Sequence, residues 1–271
     1  MITYLAAQET TAAKFRLPNN FSSRKTVSVS DTSQTGLLSN VISEIRIQGD
    51  TSWVWLGTGR GLSRVKDSLN IETFFTSTDL TNGSSTGGYF PVGGVSAIAV
   101  KGDTVFVAFA SSENDFPIGK GVVYTANSAT ENPVWIYYDQ PVDLADAETF
   151  PWGGIGFVQG LPITVAQYNV TYDASIGNGY VWITSWAGGL RRYKISDGSW
   201  ERVPVPEDDQ LTLITCADSS YELVDGKNIL KNFYMNPRDP IDGGNHNHKA
   251  FSVLSYNDTI WVGTANGINR G

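Results

Sequence analysis

Apolar and polar residues alternate one for one over short runs along most of this chain, and no segment sustains an apolar period of 3.6 residues through three turns. Alternation at period two marks a strand with one face covered, so the chain is expected to be all-β. After a polar arm the first such run is Thr26-Val-Ser-Val-Ser30, and four more follow in close order at 41–47, 53–58, 62–65 and 71–76. Gln48-Gly49-Asp50 and Gly59-Arg60-Gly61 supply tight turns between them, as in a four-stranded antiparallel meander whose strands are here lettered a to d. The same order can be laid over the rest of the chain. Strands a to d are expected at 95–100, 105–110, 121–125 and 134–138 in a second unit, and at 163–172, 180–185, 190–195 and 200–205 in a third. In a fourth unit they are expected at 250–255, 259–264 and from 268 to the end, with no strand d following.

The repeat is also visible in identities. Val54-Trp-Leu-Gly-Thr-Gly-Arg-Gly-Leu-Ser-Arg-Val65 returns as Ile260-Trp-Val-Gly-Thr-Ala-Asn-Gly-Ile-Asn-Arg270, each with Trp, then Thr three, Gly six and Arg nine residues later. Trp55, Phe106, Trp182 and Trp261 are the matching aromatics of strand b, separated by 51, 76 and 79 residues. A meander repeated in this way, with an aromatic on b and Gly at the b–c turn, is the pattern of a β-propeller blade, which needs roughly 40 to 50 residues. The last two intervals therefore carry insertions. Residues 37–65 resemble the repeat of the two-component-regulator propeller family, whose blades join an N-x-I-x-x-I strand a to W-I-G-T-x-x-G-L-x-R. Residues 248–270 resemble it equally, the third unit loosely, and the second only in its strand pattern. That resemblance implies a scaffold without catalytic residues, of the kind used in sensory ectodomains and in secreted propellers.

The expected architecture is an all-β propeller of four-stranded antiparallel meander blades, with blades at about 41–76, 95–138, 163–205 and 250–271 inside a domain spanning 25–271. Residues 1–24 are expected to be a polar arm or the remnant of a signal peptide, because Met1-Ile-Thr-Tyr-Leu-Ala-Ala-Gln8 reads as a short apolar stretch followed by small and polar residues. Two closures stand side by side: strand 26–30 completing the fourth blade of a closed ring, or a fragment of a six- or seven-bladed propeller. The abrupt Asn269-Arg270-Gly271 ending favours the fragment.

Composition narrows the functions. With 27 acidic against 19 basic residues and a formal charge of −8, and with no basic run, the chain is not expected to bind nucleic acid. Cys216 is the single cysteine, so no intrachain disulfide forms, and it reads as a small buried hydrophobe. No run of about 18 apolar residues marks a membrane span. Export to the periplasm, the cell surface or the medium is expected.

Antiparallel strands put every a–b turn at one end of its blade and every b–c and d–a connection at the other. The long pieces, 77–94, 111–120, 139–161 and 206–247, are all b–c or d–a connections, so they are expected on one face. Long loops on one side of a rigid scaffold are where binding concentrates. Tyr89, Trp152, Trp186, Tyr234, His246 and His248 are the candidate ligand-binding residues of that face, with Phe90, Phe116 and several acids beside them. Aromatics with scattered carboxylates suit a carbohydrate or a protein or peptide segment, although each ring is also a natural plug for its own loop.

Other chemistry is weaker. Asp242, His246 and His248 could converge on a metal, but the spacing matches no established ligand pattern and the segment also reads as a polar turn, so no metal is assigned. Asp143, Asp146 and Glu148 fail the EF-hand spacing for calcium. Gly57-Thr58-Gly59-Arg60-Gly61 lacks the Lys and the helix of a phosphate loop, no nucleophile elbow occurs, and no cofactor is implied. The Asn-x-Ser/Thr triplets at Asn20, Asn82, Asn169 and Asn257 carry no conclusion. The expected role is non-catalytic binding through the long-loop face. The rivals are a propeller lyase or glycosidase acting on polysaccharide, with paired acids from 139–148, and a passive assembly module.

Overall fold

A computed structural model describes residues 37–49, 53–66, 70–143, 149–152, 156–160, 169–212, 221–235 and 245–271. The chain divides into two units, Met1–Gln34 and Thr35–Gly271, and the second is the one described below. The expected arm, the strand at 26–30, Cys216, Asp146, Glu148 and Asp242 lie outside the described residues.

The first sheet is a meander of β1 (Ile42–Gln48), β2 (Trp53–Thr58), β3 (Gly61–Lys66) and β4 (Asn70–Thr73). Two short strands, β5 (Thr76–Ser77) and β6 (Phe90–Pro91), pair in parallel within the connection that follows. The second meander is β7 (Gly94–Lys101), β8 (Thr104–Glu113), β9 (Phe116–Thr125) and β10 (Ile136–Tyr138). Next come β11 (Thr149–Trp152) and β12 (Gly156–Gly160). The third meander is β13 (Thr171–Gly177), β14 (Tyr180–Ser185), β15 (Gly189–Lys194) and β16 (Trp200–Val203). It is followed by β17 (Tyr221–Val224), β18 (Lys227–Met235) and a single 3-10 turn, His246–His248. Among the described residues the last sheet has three strands, β19 (Ala250–Tyr256), β20 (Thr259–Thr264) and β21 (Gly267–Arg270).

These four meanders are propeller blades. Their inner strands β1, β7, β13 and β19 stand side by side in chain order. Each inner strand carries a bulge at the same register, between Ile42 and Glu44, Val95 and Ala97, Thr171 and Asp173, and Ala250 and Ser252. A bulge bends and twists its strand, and repeating it gives each blade the same turn toward its neighbour.

Every sheet has two faces, and the blades bury them in a fixed order. The face that carries the strand-b aromatic packs on the aliphatic face of the next blade. Trp55 and Leu62 of the first blade meet Ile98, Val105 and Val107 of the second. Phe106 and Ala99 of the second meet Ala174, Val181 and Ile183 of the third. Trp182 and Leu190 of the third meet Val253, Ile260 and Val262 of the fourth. Gly57 allows the first of these contacts, since a Cβ there would lie 2.7 Å from Cγ1 of Val95.

The repeated motif residues explain themselves in this frame. Trp55 on β2 lies opposite Arg64 on β3, which lies opposite Glu72 on β4; Trp182, Arg192 and Glu201 repeat the row in the third blade. The Arg64 guanidinium sits 4.0 Å from the Trp53 ring centre and binds Glu72, and its Nη1 donates to the Ser128 carbonyl at 2.5 Å and the Thr130 carbonyl at 3.0 Å. Arg192 stacks on Tyr180 at 4.4 Å and donates to Glu201 at 2.7 Å. The Thr of the motif closes the b–c turn: the Thr58 hydroxyl donates to the Gly61 carbonyl at 2.8 Å, and Thr264 repeats this with Gly267 at 3.2 Å. Gly61 and Gly267 have φ of 126° and 130°, a region that side-chain-bearing residues avoid.

Two expectations need correction. Strand a of the third blade is Thr171–Gly177, which the expected range 163–172 meets only in its first two residues, 163–168 lying outside the described residues; Asn178 and Gly179, with φ of 56° and 79°, form the two-residue turn that ties β13 directly to β14. Residues 111–120 are not a loop. They extend the β8–β9 hairpin, closed by Asn114 and Asp115 at φ of 50° and 65°.

Candidate binding face

The three d–a connections are the long ones, and each is built differently. In the first, Gly83, Ser84 and Thr86 hydrogen-bond to Trp135 and Tyr137, so the segment lies along β10, the outer strand of the second blade. Its Phe90 is a plug, stacked on Phe74 at 4.8 Å and edge-on to Trp135 at 4.9 Å in the wall between the first two blades. Tyr89 beside it is exposed. Phe116, at the tip of the β8–β9 hairpin, is exposed as well.

The second and third connections pair with each other. They form a four-stranded accessory sheet in the order β11, β12, β18, β17, in which β12 and β18 run parallel and both outer pairs are antiparallel. Val158, Ile229 and Leu230 are buried in it, and Lys227 ties the two hairpins by donating to the Thr149 hydroxyl at 3.1 Å. Trp152 lies on β11, opposite Gly156, and Tyr234 on β18, opposite Gln159. The signal for β17–β18 was present in Val224-Asp225-Gly226-Lys227: Asp225 and Gly226 have φ of 48° and 76° and make the two-residue turn that this dipeptide favours. The last strand of the sheet, β17, has all four residues exposed.

Trp186, His246 and His248 belong to the corner between the third and fourth blades. The Asp208 carboxylate organises it, accepting from the amides of His246 at 2.9 Å and Asn247 at 2.7 Å and lying 2.8 Å from Nδ1 of His246. Burial works to raise the Asp208 carboxyl, but these bonds outweigh it and hold the group below the usual aspartate value. The Asn266 side chain donates to the Asp208 carbonyl at 3.1 Å, joining the next blade to the corner. Lys249 lies 5.8 Å from the Trp186 ring centre. The two histidines diverge. His246 is exposed on Asp208, whereas His248 is buried with Nε2 3.2 Å from the Val205 carbonyl, and burial lowers its pKa to about 4. Among the described residues no group of three His, Cys, Asp or Glu side chains is placed to hold a metal.

Of the acids that the hydrolase reading draws on, Asp139 and Asp143 are described and both are paired, whereas Asp146 and Glu148 lie outside the described residues. Asp143 is buried between two arginines, 2.7 Å from Nη2 of Arg191 and 3.0 Å from Nη1 of Arg202, and Arg202 also donates to the Ala187 carbonyl at 3.2 Å. Burial, with Arg191 alongside, lowers Arg202 to about 10, so it stays charged at neutral pH. Asp139 accepts from the Tyr137 hydroxyl at 2.7 Å. Asp143 thereby holds the second connection against the third blade, and no local pattern in the sequence records arginine partners 48 and 59 residues downstream.

No helix among the described residues is long and apolar enough to cross a membrane. No protein-family model matches the chain, and no curated protein matches it. Among solved structures it is similar to the extracellular domain of a hybrid two-component system of B. thetaiotaomicron, at 16% identity and a TM-score of 0.40, over 90% of this chain and 34% of that one. It is also similar to YCF48 bound to a D1 peptide, at 10% identity and a TM-score of 0.34, over 83% of this chain and 60% of that one. A third is PorZ, a surface component of the type-IX secretion system of Porphyromonas gingivalis, at 11% identity and a TM-score of 0.30, over 86% and 25%. The chain thus spans from a quarter to three fifths of the length of these structures.

Proposed function

We propose that this chain is an exported, non-catalytic propeller module that takes a protein or peptide segment on the side of its d–a connections, with β17 of the accessory sheet as the docking strand. The observation that carries the reading is the state of β17. Among the described residues it is the terminal strand in the order of its sheet, and its four residues, Tyr-Glu-Leu-Val, are all exposed. The two-residue turn makes Val224 and Lys227 a hydrogen-bonded pair, so by alternation the N–H and C=O of Leu223 point away from β18. An exposed strand edge with alternating apolar side chains is the usual template for an added extended peptide, whose main chain supplies affinity.

The test is panning of a displayed peptide library on the folded protein, followed by titration of the enriched peptides against wild type and Leu223→Pro. Proline removes the outward N–H while leaving the β17–β18 bonds in place. Enriched peptides are expected to lose at least about tenfold in affinity, near 1.4 kcal/mol. Peptides that bind Leu223→Pro equally would move the site off β17. A thermal shift with oligosaccharides and none with peptides would favour the carbohydrate reading instead.

A further inference from the structure

Each internal blade boundary joins the aromatic face of one blade to the aliphatic face of the next, and among the described residues one face of each kind is left uncovered. On the fourth blade it is the aromatic face. Trp261 is 40% exposed and Ile268 78%, whereas their register equivalents Trp55 and Leu62 are fully buried and Trp182 and Leu190 nearly so. Leu254, opposite Trp261, is 56% exposed. On the first blade it is the aliphatic face, where Ile45 and Ile47 are 56% and 64% exposed and the equivalent Ile98 is fully buried. These two faces are the complementary halves of the interface that the chain already makes three times.

The polar groups match as well. Where the first blade meets the second, the Glu44 carboxylate accepts from the Ile98 amide at 2.5 Å. Where the third meets the fourth, Asp173 at the equivalent position accepts from the Val253 amide at 2.9 Å. The fourth blade carries Ser252 there, a hydroxyl able to accept from the equivalent amide of a following blade, that of Ile45.

We propose that a second copy of this chain docks head to tail, the aromatic face of its fourth blade on the aliphatic face of the first blade of its partner. The contact continues the internal blade order across two molecules: Trp261, Leu254 and Ile268 cover Ile45 and Ile47 as Trp55 and Leu62 cover Ile98. Being heterologous, it closes into a ring or extends into a filament according to the rotation it imposes.

Sedimentation of the purified chain over a nanomolar to tens-of-micromolar series tests this, with Ile268→Asp and Ile47→Asp as variants. Both side chains are exposed in the single molecule, so neither charge disturbs its core. Wild type is expected to associate reversibly, and each variant alone to weaken association by at least about 30-fold, the effect of a central hot-spot residue. An equimolar mixture of the two variants should recover a heterodimer, because each keeps the half that the other lacks. Wild type that stays monomeric throughout overturns the proposal. So does loss of association in Ile268→Asp alone, which would mean aromatic face on aromatic face, and so does association indifferent to both substitutions.

Discussion

At the residue scale the repeated arginine is a staple whose value depends on burial. Arg64 is buried, stacked on Trp53, paired with Glu72 and bonded to three carbonyls of the second blade, so it joins strands and blades at once. Arg192 makes the same cross-strand pair from a half-exposed position. Replacing Arg64 by Ala takes the donor from the buried Ser128 carbonyl and from the part-buried Thr130 carbonyl and Glu72 carboxylate, and is expected to cost about 3 kcal/mol. Arg192→Ala should cost about 1 kcal/mol. Urea midpoints of the two variants decide this, and equal losses would mean that the arginine acts only within its own sheet. His248 is the residue whose titration should be felt. Burial takes its pKa from 6.5 to about 4, so between these values the unfolded chain binds a proton that the folded one refuses. Its contribution is complete above about pH 6.5, declines as pH falls toward 4, and reaches a loss of about 3 kcal/mol, with nothing further below. His248→Gln, which retains a donor for the Val205 carbonyl, should flatten that limb of the stability profile relative to wild type. Parallel profiles would place the acid sensitivity in another group.

At the scale of elements, the two-residue turns decide which segments are strands. The β17–β18 hairpin depends on Asp225, whose φ of 48° a β-branched side chain resists. Asp225→Val is therefore expected to raise amide exchange across Tyr221–Val224 and Lys227–Met235 by about tenfold, a local cost of about 1.4 kcal/mol, while the global unfolding midpoint stays put. Simultaneous loss of global stability would show that the accessory sheet supports the blades. The same turns mark how far the sequence could be read. The meanders were legible because each blade repeats one set of contacts, so Trp55, Thr58, Gly61 and Arg64 recur as Trp261, Thr264, Gly267 and Arg270. The accessory sheet was not, because β12 and β18 pair in parallel from connections on either side of an entire blade, and no local periodicity records such a partner. The third strand a was misplaced for a related reason. The apolar alternation near Ile163 and Val165 outweighed a strand that contains Asp173, a poor strand former kept because its carboxylate bonds the next blade. Of the six candidate binding residues, Tyr89 falls at the first blade boundary, Trp152 and Tyr234 in the accessory sheet, and Trp186 and the two histidines at the last boundary.

For the molecule as a whole, stability should follow how many faces of a blade are covered. A blade packs its apolar faces only on its neighbours, although Arg46 of the first also reaches Asp173 of the third at 3.6 Å, so its local stability is mainly its own sheet energy plus the interfaces on either side. The second blade has both faces covered, by the Trp55, Phe74, Phe90 and Trp135 cluster on one side and by Ala174, Val181, Ile183 and Tyr193 on the other. Among the described residues the first and fourth blades each leave one face open, and the fourth has three strands. Burying an apolar side chain contributes roughly 1.5 to 3 kcal/mol, so the two or three uncovered residues at each end amount to several kcal/mol that the central blades have and the outer ones lack. Native-state hydrogen exchange in dilute solution should therefore show the amides of β8 and β9 exchanging only by global unfolding, and those of β20 and β21 opening first. Raising the protein concentration should protect β21 and β1 together, since head-to-tail docking covers both. Equal protection of all four blades in dilute protein would mean that the molecule unfolds as one cooperative body, with the open faces contributing nothing to the gradient.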